Sequence, residues 1–204
     1  MFKIIIYSLI GLALIIGGIS AFHLWRVASK NKKEMAQYSS PVVLTKKFSK
    51  TLVVYYSLTG HTRAIAEKIK NYTNADIYEI KVDSGLKTGM WKYMTLRSQL
   101  KNKEFPTLAG KLPNFDAYDT IFVGAPVWWY SMATPMWAFL QQADFAGKKV
   151  VPFSTQGSNP GTYFEDFAAT AKNAKLLQSA RFNNLPPEYD AAVDNKIKTW
   201  LNNL

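Results

Sequence analysis

The sequence predicts an α/β protein built on a parallel sheet with helices on both faces, preceded by one apolar helix. Strand-like and helix-like patterns alternate between residues 51 and 203, as they do when helices cross over between parallel strands. Residues 53–56 are β-branched or aromatic without a break, which is typical of a strand covered on both faces. No charged residue occurs between residues 4 and 25, and this run predicts the apolar helix.

The elements follow in order along the chain. After the first strand, Ile65, Ala66 and Ile69 share one face of a helix, and residues 75–80 alternate as a short strand near a sheet edge. The later predictions are strands at 119–124, 149–155 and 175–182 and helices at 91–101, 134–143, 162–173 and 190–203. Together they form a doubly wound, five-stranded parallel sheet. Right-handed crossovers place the carboxyl end of every strand along one edge, where such sheets bind their ligands.

The apolar run at residues 4–25 is long enough to span a membrane. At about 1.5 Å per residue it covers roughly 33 Å, which matches the thickness of a bilayer core. Four basic residues between positions 26 and 33 outnumber Lys3. This asymmetry predicts a single-pass anchor at residues 1–28 in the cell membrane, with a cytoplasmic globular domain. The alternative is a cleaved signal peptide, with a possible cleavage site at Ala21, and an exported domain.

Positive charge is concentrated beside this segment. Residues 1–50 hold eight Lys and Arg against Glu34 alone, within a net charge of +11 for the whole chain. A basic flank next to an apolar segment fits anionic lipid headgroups, and no helix-turn-helix, zinc-finger or basic–aromatic pattern indicates nucleic acid. We expect residues 29–49 to form a basic linker and residues 50–204 to form the globular domain.

Composition excludes several kinds of chemistry. The chain contains no Cys, so it has no disulfide, no thiolate metal site and no Cys nucleophile. Its two histidines, His23 and His61, do not form a Ser-His-Asp pattern, and no metal-ligand cluster is visible. We therefore predict neither a catalytic side chain nor a metal ligand.

The turn after the first strand has the composition of an anion site. It consists of Ser57, Leu58, Thr59, Gly60, His61 and Thr62. Three hydroxyls, a glycine for a tight turn and the free N–H groups at the start of a helix together suit a phosphate. An ordinary turn with a Thr N-cap is the alternative interpretation.

Three segments together resemble the flavodoxin family. The stretch 51–64 is similar to the family's phosphate loop, where a strand precedes Ser/Thr-x-Thr-Gly-Asn-Thr, with His61 in place of the Asn. Residues 120–129 resemble the third strand and first flavin-covering loop, and residues 150–158 resemble the fourth strand and second flavin loop. The resemblance covers residues 50–204 and implies the strand order 2-1-3-4-5.

The same resemblance implies a bound FMN, with its phosphate on residues 57–62 and its ring between two loops. The first loop consists of Pro126, Val127, Trp128, Trp129 and Tyr130, and the second consists of Thr155, Gln156, Gly157 and Ser158. At least one ring of the first loop would contact the flavin, and backbone N–H groups of the second would meet its pyrimidine edge. Tyr130 stands where related Pro-x-Trp-Trp sequences commonly have Gly.

The function implied is that of a membrane-tethered, FMN-dependent oxidoreductase. It would take electrons from NAD(P)H or a reductase and pass them to a quinone or a protein acceptor. Flavodoxins that act as carriers tend to be strongly acidic, whereas residues 51–204 hold 17 basic and 13 acidic residues. This balance favours a reductase over a one-electron carrier. A non-catalytic flavodoxin-like interaction module that has lost FMN is the remaining alternative.

Overall fold

The computed structural model describes residues 2–83 and 90–204. Its helices are α1 (Phe2–Ala36), α2 (His61–Thr73), α3 (Met90–Asn102), α4 (Thr134–Gln142), α5 (Tyr163–Thr170) and α6 (Asp190–Asn202). Its strands are β1 (Thr51–Tyr55), β2 (Asp76–Glu79), β3 (Thr120–Trp128), β4 (Ser131–Met132), β5 (Lys149–Gln156), β6 (Lys175–Leu176) and β7 (Ala180–Asn183). Every helix and strand predicted between residues 51 and 203 is found, with shifted ends.

The sheet has the predicted doubly wound topology. Its parallel order is β2-β1-β3-β5, and β6 and β7 both pair in parallel with the outer side of β5. These two short strands occupy one position, so the predicted fifth strand is present but split. The order 2-1-3-4-5 is therefore confirmed, with β2 at the predicted edge. The short β4 adds an antiparallel hairpin to the end of β3.

Each face of the sheet carries its own apolar core. Along β1, Leu52 and Val54 face one cluster, whereas Val53 and Tyr55 face the other, because successive strand side chains point to opposite faces. The first cluster lies under α3, α4 and α5, and the second lies under α2, α6 and the end of α1. All five residues of β1 are buried, which explains its unbroken apolar sequence.

Strand β3 is longer than predicted. The sequence predicted a loop from Pro126 onward, yet Pro126 still pairs with Thr155 of β5, and the strand continues to Trp128. The extension forms because Val127 and Trp128 acquire a partner in β4. Of the predicted loop at residues 126–130, only the hairpin turn formed by Trp129 and Tyr130 lies outside the strands.

Helix α1 extends beyond the anchor predicted at residues 1–28. It continues to Ala36, and its last part packs on the domain, where Met35 is buried in the second core cluster. Leu9–Ala36 is long and apolar enough to cross a membrane, and the domain does not cover its apolar part. Leu14, for example, is 71% exposed.

The predicted basic linker at residues 29–49 is held against α6. The Lys196 ammonium lies 2.6 Å from the Glu34 carboxylate. The Asn195 amide donates to the Tyr38 carbonyl at 2.9 Å, and the Asn202 side-chain oxygen accepts the Thr45 N–H at 2.9 Å. The lysine-rich composition predicted a basic linker and gave no indication of these contacts, because their partners lie at the far end of the chain.

Candidate functional site

The turn between β1 and α2 has the geometry of an anion site. Gly60 has a φ of 94° and forms the N-cap of α2, and its N–H donates to the Ser57 hydroxyl at 3.1 Å. This left-handed conformation is easy for glycine and exposes the first N–H groups of the helix, which lack intrahelical acceptors. No acidic residue occurs in the first turn of α2. The helix start therefore offers an anion an uncompensated positive dipole.

The hydroxyls of this turn have different surroundings. Thr59 is exposed and Ser57 is partly exposed. Thr62 is buried, and its hydroxyl lies 2.7 Å from that of Thr155, which is also buried. This hydroxyl pair fixes the first turn of α2 to the end of β5. The structure thus brings Thr62 and Thr155 together as a brace beneath the turn.

The predicted aromatic loop separates into one core residue and two turn residues. Trp128 is only 7% exposed, and its ring packs edge-on against Tyr56 at a centroid distance of 5.7 Å. Trp129 and Tyr130 follow with φ of 49° and 65°. Positive φ at both central residues is the signature of the tight two-residue hairpin turn that suits β-strand twist. The Gly common in relatives at the Tyr130 position would adopt this conformation without strain.

A cleft of about 270 Å³ lies between this hairpin turn and the end of β5. Its walls are Val127, Trp129, Tyr130, Gln156, Gly157, Ser158 and Asn159. Six of these seven residues were predicted as flavin contacts, and Asn159 is the addition. The Asn159 side chain accepts the Gly161 N–H at 2.9 Å, which orders the turn that follows the cleft.

The hairpin turn is fastened to the start of α5. The Thr162 N–H donates to the Tyr130 carbonyl at 2.7 Å. Gly161, with a φ of 59°, lies so close to this carbonyl that a Cβ there would be 2.0 Å from the Tyr130 oxygen. Asp166 accepts hydrogen bonds from Ser131 at 2.6 Å and from Thr162 at 2.7 Å. These contacts hold one wall of the cleft in place.

A chain of side-chain hydrogen bonds supports the other wall. The Ser154 hydroxyl donates to Gln156 at 2.8 Å, the Gln156 amide donates to Asn183 at 3.0 Å, and the Asn183 amide donates to Asn31 at 2.7 Å. The side chain of Gln156 is therefore directed into the protein. Asn183 and Asn31 were not predicted, because neither lies in a recognisable motif.

A second, larger cavity of about 940 Å³ lies on the other side of the hairpin turn. It shares Trp129 and Tyr130 with the first cleft. Phe105 and Trp137 stack in it at 5.5 Å with an interplanar angle of 6°. The lining also includes Arg97, Leu100, Lys101, Lys103, Ser131, Gln141, Asp166, Ala169 and Thr170. The cavity thus combines aromatic walls with three cationic side chains, and no sequence motif predicted it.

Comparison with known proteins identifies the domain. A sequence model with the description Flavodoxin matches residues 50–204. The chain belongs to the flavodoxin family. The family and fold predicted from the three loop segments are therefore confirmed, and the match begins where the predicted globular domain does.

Solved structures of similar proteins agree with the flavodoxin assignment. A flavoprotein from Lactobacillus acidophilus NCFM, crystallised in complex with FMN, is 32% identical, with a TM-score of 0.59 over 65% of this chain and 92% of that chain. A candidate flavoprotein from Bacteroides uniformis ATCC 8492 is 27% identical, with a TM-score of 0.65 over 76% of this chain and 99% of that chain. No curated protein matches the chain.

Proposed function

We propose that this flavodoxin domain binds FMN and acts as a membrane-tethered reductase. The cofactor proposal rests on two features of one sheet edge, the uncompensated start of α2 and the cleft beside the hairpin turn. The residues that would hold the phosphate are Ser57, Thr59, Gly60 and His61, and those that would hold the ring are Val127, Trp129, Tyr130, Gly157 and Ser158. When bound, FMN supplies hydride and single-electron transfer.

The protein contributes a fixed, partly apolar slot for the ring. Trp129 and Tyr130 supply aromatic surface. Gly157 has no side chain, and no atom beyond its chain neighbours lies within 4 Å of the position its Cβ would take, so it leaves room for a ring. Trp128 does not line the cleft, so its role is to pack the core beneath it. We assign the aromatic contact with the flavin to Trp129 and Tyr130.

The observation that favours a reductase is the second cavity. It is large enough for a small-molecule substrate, and it reaches the same two aromatic residues as the proposed flavin cleft. Arg97, Lys101 and Lys103 give it positive charge, which would attract the phosphates of NAD(P)H. An electron carrier that docks only on other proteins has no need of such a cavity. The domain is also mildly basic, with 17 basic and 13 acidic residues between positions 51 and 204, whereas carrier flavodoxins tend to be strongly acidic. This difference also favours a reductase.

The membrane tether is the apolar part of α1. Its side chains are not covered by the domain, and Tyr7 and Trp25 lie near its ends, where amphipathic aromatic residues favour the bilayer interface. The basic residues after it favour a cytoplasmic domain, which is also where FMN and NAD(P)H occur. The acceptor in this proposal is a quinone or a redox protein.

The test is a titration of the purified full-length chain with FMN, followed by steady-state NAD(P)H oxidation with a quinone acceptor. We expect tight uptake of FMN and turnover with one of the two nicotinamides. Bound FMN without turnover would support the carrier alternative. A chain that takes up no FMN would support the non-catalytic module and overturn the proposal.

A further inference from the structure

We infer that the sheet edge holding the proposed flavin site faces the membrane surface, so that the electron acceptor is a quinone dissolved in the bilayer. The position of the edge follows from how α1 joins the domain and rests on the proposed membrane tether. The identity of the acceptor rests, in addition, on the proposed reductase activity.

Helix α1 meets the domain at the carboxyl edge of the sheet. Asn31 accepts a hydrogen bond from Asn183, the last residue of β7, at 2.7 Å. Asn183 pairs with Gln156, the last residue of β5, and Gln156 lines the proposed flavin cleft. Asn31 is only 9% exposed, so the helix is in close contact with the domain at this point.

From Asn31 onward the chain runs away from that edge. One turn later, Glu34 pairs with Lys196, whose ammonium also donates to the carbonyl of Arg181, two residues back along β7. Residues 42–46 then follow α6 to Asn202, near its end. Finally, Lys50 accepts the Asp119 N–H at 2.8 Å, beside the amino end of β3.

Helix α1 is continuous, and after Asn31 it runs toward the amino edge of the sheet. The residues before Asn31 therefore extend beyond the carboxyl edge, away from the domain. The apolar residues 4–25 lie in this part, and over them the helix extends about 33 Å, at 1.5 Å per residue, which is the thickness of a bilayer core. A membrane around this part of the helix therefore lies on the side of the sheet that carries the flavin-site loops.

The surface near this junction suits a lipid boundary. The lining of a cavity of about 520 Å³ between α1 and the domain includes Lys30, Lys33 and Arg181, in addition to the paired Glu34 and Lys196. The excess of positive charge favours anionic headgroups. Tyr130, in the wall of the proposed flavin cleft, is 65% exposed. An exposed tyrosine is stable at the level of lipid headgroups because it is both aromatic and polar.

This arrangement selects the acceptor. A protein acceptor in solution would have to reach a flavin edge that faces the bilayer, whereas a quinone in the bilayer is already on that side. The hydrogen bonds from Asn31 to Thr45 make α1 and the domain one unit, so the orientation does not depend on a flexible tether.

The absence of Cys allows a direct test, since a single introduced Cys carries the only spin label. The full-length chain with Asn184→Cys, at the carboxyl edge, is compared with Ser49→Cys, at the amino edge; both positions are exposed. Each labelled protein is inserted into phosphatidylcholine–phosphatidylglycerol vesicles that contain a nickel-chelating lipid. We expect the nickel to relax the label at position 184 several-fold faster than the label at position 49.

Equal relaxation of the two labels, or faster relaxation at position 49, would overturn the inference. So would a chain that does not insert into the vesicles. The measurement needs neither flavin nor turnover, so its outcome is independent of whether the chain binds FMN or acts as a reductase. The acceptor is tested separately with vesicles that contain a long-chain quinone, compared with a water-soluble quinone supplied at equal concentration. A lower rate with the long-chain quinone would contradict this choice of acceptor.

Discussion

Asn183 donates a hydrogen bond to Asn31 at 2.7 Å and thereby joins the last strand of the sheet to the apolar helix that begins the chain. The two residues are 152 positions apart. Asn183 also accepts from Gln156, in the wall of the proposed flavin cleft, so one side chain connects α1 with the cleft. Removing only one partner of such a hydrogen bond lowers stability, because the remaining buried polar group is left without a partner.

Replacing Asn183 should therefore affect both stability and cofactor binding. We expect Asn183→Ala to lower the free energy of unfolding by about 1–3 kcal/mol, because it leaves polar groups of Gln156 and Asn31 unpaired. FMN affinity should fall as well, since Gln156 loses its support. Urea unfolding of the full-length chain and an FMN titration measure the two effects. Asn184→Ala, at the exposed next position, is the control, and an equal response of both variants would contradict the prediction.

Gly161→Ala should move the hairpin turn. The Cβ of an alanine at position 161 would lie 2.0 Å from the Tyr130 oxygen, so Tyr130 and Trp129 must shift. We therefore expect the FMN affinity to fall about tenfold or more, which corresponds to roughly 1.4 kcal/mol. Gly110→Ala is a matched control, because Gly110 also has a positive φ, 79°, but nothing lies within 4 Å of its Cβ position.

Both glycine variants should lose about 1 kcal/mol of stability from backbone strain. Only Gly161→Ala should weaken FMN binding. Unfolding curves and FMN titrations on the two variants separate strain from the clash. Similar FMN affinities for the two would show that the contact with Tyr130 does not position the cleft.

The hydroxyls of Thr62 and Thr155 should behave as a coupled pair. They lie 2.7 Å apart and both side chains are buried, so removing one hydroxyl leaves the other without its partner. We expect Thr62→Val and Thr155→Val each to cost about 1–2 kcal/mol, and the double variant to cost clearly less than their sum. A double-mutant cycle by urea unfolding measures the coupling, and additive losses would rule it out.

Stability should decrease at alkaline pH. Burial, with a smaller contribution from Glu79, raises the pKa of Tyr56 from 10.0 to about 12. Between these values the unfolded chain loses a proton that the folded chain keeps, so stability falls as pH rises, by about 2 kcal/mol for this residue at pH 12. Below pH 10 the stability contribution is fully present.

Tyr56→Phe should therefore give a shallower loss of stability between pH 10 and pH 12, with little change at pH 7. Urea unfolding at several pH values measures the slope. Because the pKa of Tyr56 is raised in the folded chain, its removal can only make the fall of stability with pH shallower. A steeper fall in the variant would contradict a raised pKa for Tyr56. Tyr130→Phe is the control, because Tyr130 is 65% exposed.

The positive charge of the second cavity should strengthen the binding of NAD(P)H. Lys101→Glu reverses one of the three cationic side chains there, and we expect KM for NAD(P)H to rise about fivefold, which corresponds to roughly 1 kcal/mol for an exposed charge. The FMN affinity should not change, because Lys101 does not line the flavin cleft. Lys175→Glu, exposed on β6, is the charge-matched control, and an equal rise of KM in both would place the nicotinamide elsewhere.

The doubly wound sheet and the location of its ligand edge could be predicted from the sequence. The reason is that local patterns carry this information: the unbroken apolar residues of β1, the alternation of strands and helices, and Gly60 at the start of α2 each act within a few residues. The family resemblance then added the strand order and the cofactor. These predictions needed no knowledge of distant contacts.

The tertiary structure alone decided which side chains form the site. Trp128 and Trp129 are neighbours of the same type, and only pairing with β4 makes one a core residue and the other part of the cleft wall. The second cavity requires α3, α4 and α5 to be placed together. Likewise, residues 29–49 look like a plain basic linker in sequence, but the side chains of Asn183, Asn195, Lys196 and Asn202 hold them to the domain. Hydrogen bonds between residues more than 150 positions apart leave no local pattern in the sequence, so only the three-dimensional structure shows them.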